Sequence, residues 1–173
     1  MGHTFTKHGI EPDHDKILAI KNFQKPQCKK DVERFLGIIT YVSKFIPNMS
    51  YETDKLRVLL KKHVSWHWDN PQEITYNRLK DILIKKPILQ FFNPNKPITL
   101  SVDSSQNAIG AVLLQNNLPV YYISKSLNDT QNNWAQIEKE MYAITYSRVR
   151  FHQYIYGKNI TVETDHKPRV SII

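Results

Sequence analysis

Ile98-Thr99-Leu100-Ser101-Val102-Asp103 decides how the second half of this chain folds, because its apolar residues fall at every second position, the period of a strand with one face in a core. Working outward, Ala108 to Leu114 and Pro119 to Ser124 are two further strand candidates, separated by Gln115-Asn116-Asn117, a hairpin-turn sequence. A helix follows, in which Trp134, Ile137, Met141 and Ile144 recur at helical spacing and predict the buried stripe. A last strand, Asn159 to Thr164, comes after Gly157. The order β-β-β-α-β predicts an antiparallel meander and a crossover, hence a mixed α/β fold with helices flanking one mixed sheet.

Upstream of Pro87 the pattern is helical. Asp13 is placed to cap a segment through Phe23, a second helix is expected from Lys29 to Ile46, and a third from Tyr51 to Lys62. Asn70-Pro71-Gln72-Glu73 predicts a fourth, with Asn70 as N-cap and Pro71 at the first helical position. In the second helix Val32, Phe35, Leu36, Ile39, Val42, Ser43 and Ile46 share one face, and Lys30, Arg34, Gly37, Tyr41 and Lys44 share the opposite one. Three cations, an aromatic ring and a glycine that permits close approach suit a nucleic-acid backbone; an ordinary solvated face is the alternative.

Composition limits the classes. With 173 residues and 40% hydrophobic content the chain can bury one good core or two small ones. Its apolar runs fall short of the roughly 18 residues that a membrane-spanning helix needs, and no secretory signal pattern opens it, so no membrane partner is expected. The single cysteine, Cys28, excludes an intramolecular disulfide and a cysteine zinc site. A reducing compartment follows: cytoplasm, a virus-like particle or nucleus. The net charge of +8 is concentrated upstream, with 17 Lys and Arg against 10 Asp and Glu in residues 1–96. Such an excess points to a polyanion, although lysines kept for solubility would look the same.

Asp103 and Asp165 each end a strand candidate, and Glu140 borders the apolar stripe of the intervening helix. Singly, each has an ordinary reading as a turn, cap or solvated residue. Three carboxylates converging beside a core would repel one another, and divalent cations would relieve that repulsion. A pair of such ions can hold the attacking water and the leaving oxygen of a phosphodiester.

The words around these residues form a family pattern. Ser101-Val102-Asp103-Ser104-Ser105, Ile109 to Gln115, Pro119 to Leu127, Ile137 to Ile144, Phe151 to Gly157 and Val162-Glu163-Thr164-Asp165-His166-Lys167-Pro168 closely resemble the RNase H domain of gypsy-type long-terminal-repeat retrotransposons. Met1-Gly2-His3 resembles the primer-gripping hairpin of their reverse transcriptases, and Arg34-Phe35-Leu36-Gly37 with Tyr41 through Ser50 resembles the thumb. The resemblance implies a helical thumb-like segment over 1–90 and an RNase H-like mixed sheet over 91–173. It implies metal-dependent cleavage of RNA in RNA/DNA hybrids, with a two-metal Mg²⁺ (or Mn²⁺) site in which Asp103 bridges both ions and Glu140 and Asp165 each hold one. The implied partners are an RNA/DNA hybrid or template-primer duplex and the remainder of the Pol polyprotein.

Departures from the pattern bear on activity. Ser104, Ala108 and Trp134 stand where the family often has Ala, Gly and Tyr, and Arg169 replaces an apolar residue. The chain ends at Ile173, before the family's remaining helices, last strand and fourth metal-binding carboxylate, so a C-terminally truncated sheet, marginal stability and weak or absent nuclease activity are expected. The palm aspartates of the polymerase lie upstream of the primer grip, so no DNA synthesis is expected of this chain alone. The alternative keeps the fold and drops the catalysis: a degenerate or co-opted remnant that binds nucleic acid or a protein partner. His63 and His67, beside Trp66 and Trp68, read as a helix-ending loop with packing aromatics rather than as metal ligands.

Overall fold

Gly9, at φ 144°, reverses the chain after Lys7-His8 and so joins β1 (His3–Thr6) to β2 (Gly9–Pro12), an antiparallel pair with His3 opposite Pro12. The computed structural model describes residues 3–85, 87–164 and, as backbone, 170–172. The chain divides into two units: residues up to 46 with 52–88, and residues 47–51 with those from 89 onward.

In the first unit, α1 (His14–Lys21) begins where the Asp13 carboxylate accepts from the Asp15 N–H at 2.9 Å, the expected cap. α2 (Lys29–Tyr41) buries Val32, Phe35, Leu36 and Ile39, the predicted apolar face. It stops five residues short of the expected end: Val42 leaves helical geometry and Ser43–Phe45 form a 3₁₀ turn. The expected helix over 51–62 is two short ones, α3 (Met49–Glu52) and α4 (Asp54–Leu59), broken at Thr53.

α5 (Asn70–Ile84) is capped by Asp69, not Asn70. The Asp69 N–H donates to Gln72 Oε1 at 3.2 Å in a capping box, so Pro71 sits one position further in than predicted. Trp66 packs at a tilt on Trp68, Trp68 meets Tyr76 edge-on, and Trp68 Nε1 donates to Glu73 at 2.6 Å, which makes the 63–68 stretch the packed loop that was expected. Phe35 packs on Tyr76 at 4.8 Å between ring centroids, and Ile20, Leu56, Leu59, Leu79 and Leu83 complete a fully buried core.

The second unit carries the sheet. β3 (Ile98–Ser104) pairs antiparallel with β4 (Ala108–Gln115), which pairs antiparallel with β5 (Leu118–Ser126). Asn116 and Asn117, both left-handed at φ 52° and 60°, supply the two positive angles of a two-residue hairpin turn, which Asn tolerates better than most residues. The buried Gln115 carboxamide takes the Asn93 N–H at 2.8 Å and donates to the carbonyls of Asn93 and Lys96, fastening the loop that precedes β3.

After α6 (Asp129–Asn132), α7 (Gln136–Arg150) packs on β3 and β4, and α8 (His152–Ile155) leads to β6 (Ile160–Thr164), parallel to β3. The sheet order is β5-β4-β3-β6-β7. β7 (Val170–Ile172), a strand the sequence did not announce, lies antiparallel along β6.

The helix stripe differs from expectation. α7 buries Lys139, Ala143 and Ser147, whereas Ile137 and Met141 are 63% and 57% exposed. Small residues let a helix lie close to a sheet, and Lys139 buries its stem while its Nζ reaches the Gln106 carbonyl at 3.2 Å. The core beneath is Leu100, Val102, Ile109, Ala111, Leu113, Phe151, Ile160 and Val162.

Candidate functional site

Asp103 faces Gly110 across the β3–β4 ladder, and Gly110 faces Ser124 across the β4–β5 ladder. Directly opposed residues share a face, so these three form a row on the side of the sheet away from Leu100 and Val102. Asp103 is exposed there while Val102 is buried, as strand alternation predicts.

Residues 47–51 lie over this row. Asn48 Nδ2 donates to Asp103 Oδ2 at 3.1 Å. Two residues on, the Ser50 N–H and hydroxyl both reach Ser124 Oγ, at 2.9 and 3.1 Å. Asn48 has left-handed backbone, φ 48°, and its side chain occupies the space over Gly110. A Cβ on Gly110 would collide with Asn48 Oδ1 and lie 3.1 Å from its Cγ.

Glu140 is tied to the same end of β3 through an amide. Gln136, one helical turn earlier, donates from Nε2 to the Ser104 carbonyl at 3.1 Å, to Ser104 Oγ at 2.9 Å and to Glu140 Oε1 at 3.4 Å. The residue adjoining Asp103 is thereby linked to Glu140. Asp165, the third predicted carboxylate, lies outside the described residues, as do Met1 and Gly2 of the expected primer grip. Among the described residues no three His, Cys, Asp or Glu side chains gather closely enough to hold a metal ion.

The donor chemistry fits a hard cation. Both described carboxylates offer oxygen, the ligand Mg²⁺ prefers. Asn48 and Gln136 donate neutral amide N–H groups to them, which orient a carboxylate without cancelling its charge. Sequence reading missed Asn48, Gly110 and Gln136. The alternation that put Asp103 outside the core also put Gly110 beside it, but nothing local marks a residue 55 positions away.

In the first unit the predicted polar face is present in part. Lys30, Arg34, Gly37 and Tyr41 are exposed, Tyr41 at 71%, and a Cβ on Gly37 would meet nothing within 4 Å. Arg34, Gly37 and Tyr41 line a groove together with Ala19, Phe23 and Ile38. Lys16 Nζ stands 5.7 Å from the Tyr41 ring centroid. Lys44 does not extend this face: it lies in the 3₁₀ turn, half-buried, and burial holds its ammonium below the usual lysine range.

The five-stranded mixed sheet with α7 against it is an RNase H-like architecture. Residues 68–162 match the family described as the RNase H-like domain found in reverse transcriptase, and the chain belongs to that family. It is 36% identical over 169 residues to the retrovirus-related Pol polyprotein from transposon 297 of Drosophila melanogaster, 97% of this chain and 16% of that protein. It is 33% identical over 174 residues to the transposon Tf2-3 polyprotein of Schizosaccharomyces pombe, 96% of this chain and 13% of that one. These relatives are gypsy-type elements, and the chain spans less than a fifth of their length. The fold is shared with a foamy viral protease-reverse transcriptase solved in complex with RNA/DNA hybrid, at TM-score 0.79, 17% identity, 95% of this chain and 23% of that one. A dRH form of that enzyme in complex with double-stranded DNA gives the same score and covers 30% of its chain.

Proposed function

We propose that this chain serves the RNase H part of a retroelement Pol polyprotein, cleaving the RNA strand of RNA/DNA hybrids in a divalent-metal-dependent reaction. The observation that carries the reading is the exposed Asp103 carboxylate at the end of β3, oriented by a neutral amide and linked through Ser104 and Gln136 to Glu140. Asp103, Glu140 and Asp165 would hold Mg²⁺ or Mn²⁺. When bound, such ions supply an activated water and neutralise the leaving oxygen.

The residues of the chain itself do the rest. Residues 1–90 act as primer grip, thumb and connecting helices, and 91–173 as the nuclease domain. Lys30 and Arg34 meet phosphates, Tyr41 offers a stacking or sugar-contacting ring, and Gly37 lets the backbone of the nucleic acid come close. The nucleic acids in the foamy viral complexes, RNA/DNA hybrid and double-stranded DNA, are the class of ligand this surface would take.

The test is cleavage of a labelled RNA/DNA hybrid by the purified chain in Mg²⁺ or Mn²⁺, beside Asp103→Asn. Cleavage that disappears in the variant is expected. A folded chain that binds the hybrid without cutting it would replace this reading by that of a binding remnant.

A further inference from the structure

We propose that Asn48 is a positioning residue for Asp103, an amide clasp delivered from outside the nuclease domain's own strands and dependent on the bare face of Gly110. The inference rests on the metal-site reading above and adds to it a residue that the predicted triad does not contain.

Three observations converge on Asn48. Its Nδ2 donates to Asp103 Oδ2 at 3.1 Å, and its Oδ1 and Cγ lie over Gly110, where a Cβ would displace them. Its left-handed φ of 48° is a conformation that Asn adopts more readily than other residues with a Cβ. The flanking Ser50 is fixed to Ser124 by two hydrogen bonds. Because Asp103, Gly110 and Ser124 form one row across three strands, the 47–51 segment is held at both ends of that row, and Asn48 has little freedom to leave the carboxylate.

The consequence is chemical. A terminal strand carboxylate on an exposed face can rotate about χ1 and χ2, and each rotamer spent away from the site weakens a cation held there. A donor on one oxygen selects the rotamer. A neutral donor does so while leaving the full negative charge for the metal, which a Lys or Arg in the same place would not. Outer-shell hydrogen bonds of this kind typically change metal affinity by about 10- to 100-fold.

The experiment is a calorimetric Mn²⁺ titration of the full chain, with urea unfolding of every variant alongside. Asn48→Gly removes the amide while keeping the left-handed backbone. Gly110→Ala leaves the 47–51 segment intact in sequence and pushes the amide aside, so it reports on the same contact even if Asn48→Gly unfolds. Each is expected to weaken Mn²⁺ binding by about 10- to 100-fold. The double variant should bind no more weakly than Asn48→Gly, since the methyl then enters vacated space. A purely structural role would move the urea midpoint and spare the affinity. Mn²⁺ affinity unchanged in folded Asn48→Gly or Gly110→Ala, while Asp103→Asn abolishes binding, would overturn this inference and leave the metal site standing. No Mn²⁺ binding by the parent, or binding indifferent to Asp103→Asn, would remove the metal-site reading and this inference with it.

Discussion

Gln136 and Glu140 lie one turn apart on α7, and the Gln136 carboxamide bridges the Glu140 carboxylate to Ser104 at the end of β3. A helix residue and a strand end are thus held by one exposed side chain that lacks any charge of its own. If Glu140 is a metal ligand, Gln136→Ala is expected to lower hybrid cleavage by about tenfold or more. Being on the surface, the change should cost no more than about 0.5 kcal/mol of stability. Cleavage rates and urea midpoints measured together check this, and a rate loss that merely tracks unfolding would count against it.

The α2 face separates electrostatic from stacking contributions. Arg34 is exposed and its pairing with Asp31, at 3.6 Å, is of the solvent-screened kind that contributes little. Arg34→Ala should weaken hybrid binding at all sequences and reduce the slope of log affinity against log salt by about one. Tyr41→Ala should weaken binding by about 1 kcal/mol with that slope unchanged. Fluorescence anisotropy over a salt series distinguishes the two, and Lys44→Ala, off this face, should change neither.

Gln115 holds the entry to β3. Its buried carboxamide satisfies one N–H and two carbonyls of the otherwise exposed 93–96 loop. Gln115→Ala is expected to destabilise the protein by about 2 kcal/mol, the net worth of three lost hydrogen bonds that fasten the loop. Gln115→Glu keeps the acceptor but sets a buried carboxylate oxygen against two carbonyl oxygens, and should destabilise at least as much. Urea denaturation gives both numbers.

Glu52 makes stability depend on pH. Burial raises its carboxyl above the ordinary glutamate value, and Arg78, 2.7 Å away, pulls it back. A carboxyl whose folded value is raised binds its proton more tightly when folded. Its contribution is therefore fully present below the unfolded value, about pH 4, and is lost as pH rises through the folded one. Glu52→Gln should lessen the drop in melting temperature across that window, and Arg78→Ala should deepen it, with a stability loss of up to about 1 kcal/mol at neutral pH. Melting curves from about pH 4 to 7 decide the sign.

The strands were legible because alternation in Ile98 to Asp103 records a contact each residue makes with a single flat core, and the apolar face of α2 was legible for the same reason. The α5 cap was displaced by one residue because Asp69 and Asn70 are both good caps, and only the reciprocal bond from Gln72 selects between them. The α7 stripe was read correctly only in part, since Ile144 packs against the core and Trp134 is half-buried. Ile137 and Met141 form a plausible stripe, yet Lys139, Ala143 and Ser147 are the buried ones: Ala143 and Ser147 are short enough for close approach to the sheet, and Lys139 lays its stem along it to reach the Gln106 carbonyl.

By itself, then, the sequence determined the alternation that turns Asp103 outward, the helical face of Arg34 and Tyr41, and membership of the reverse transcriptase RNase H-like family. Those properties are periodic or local, and periodicity survives in one dimension. The tertiary structure alone decided that Asn48 meets Asp103, that Gly110 must be bare beneath it, and that Gln136 joins Glu140 to β3. All three contacts span more than 30 residues, and all three depend on strand register and chain crossing, which no spacing of residue types encodes.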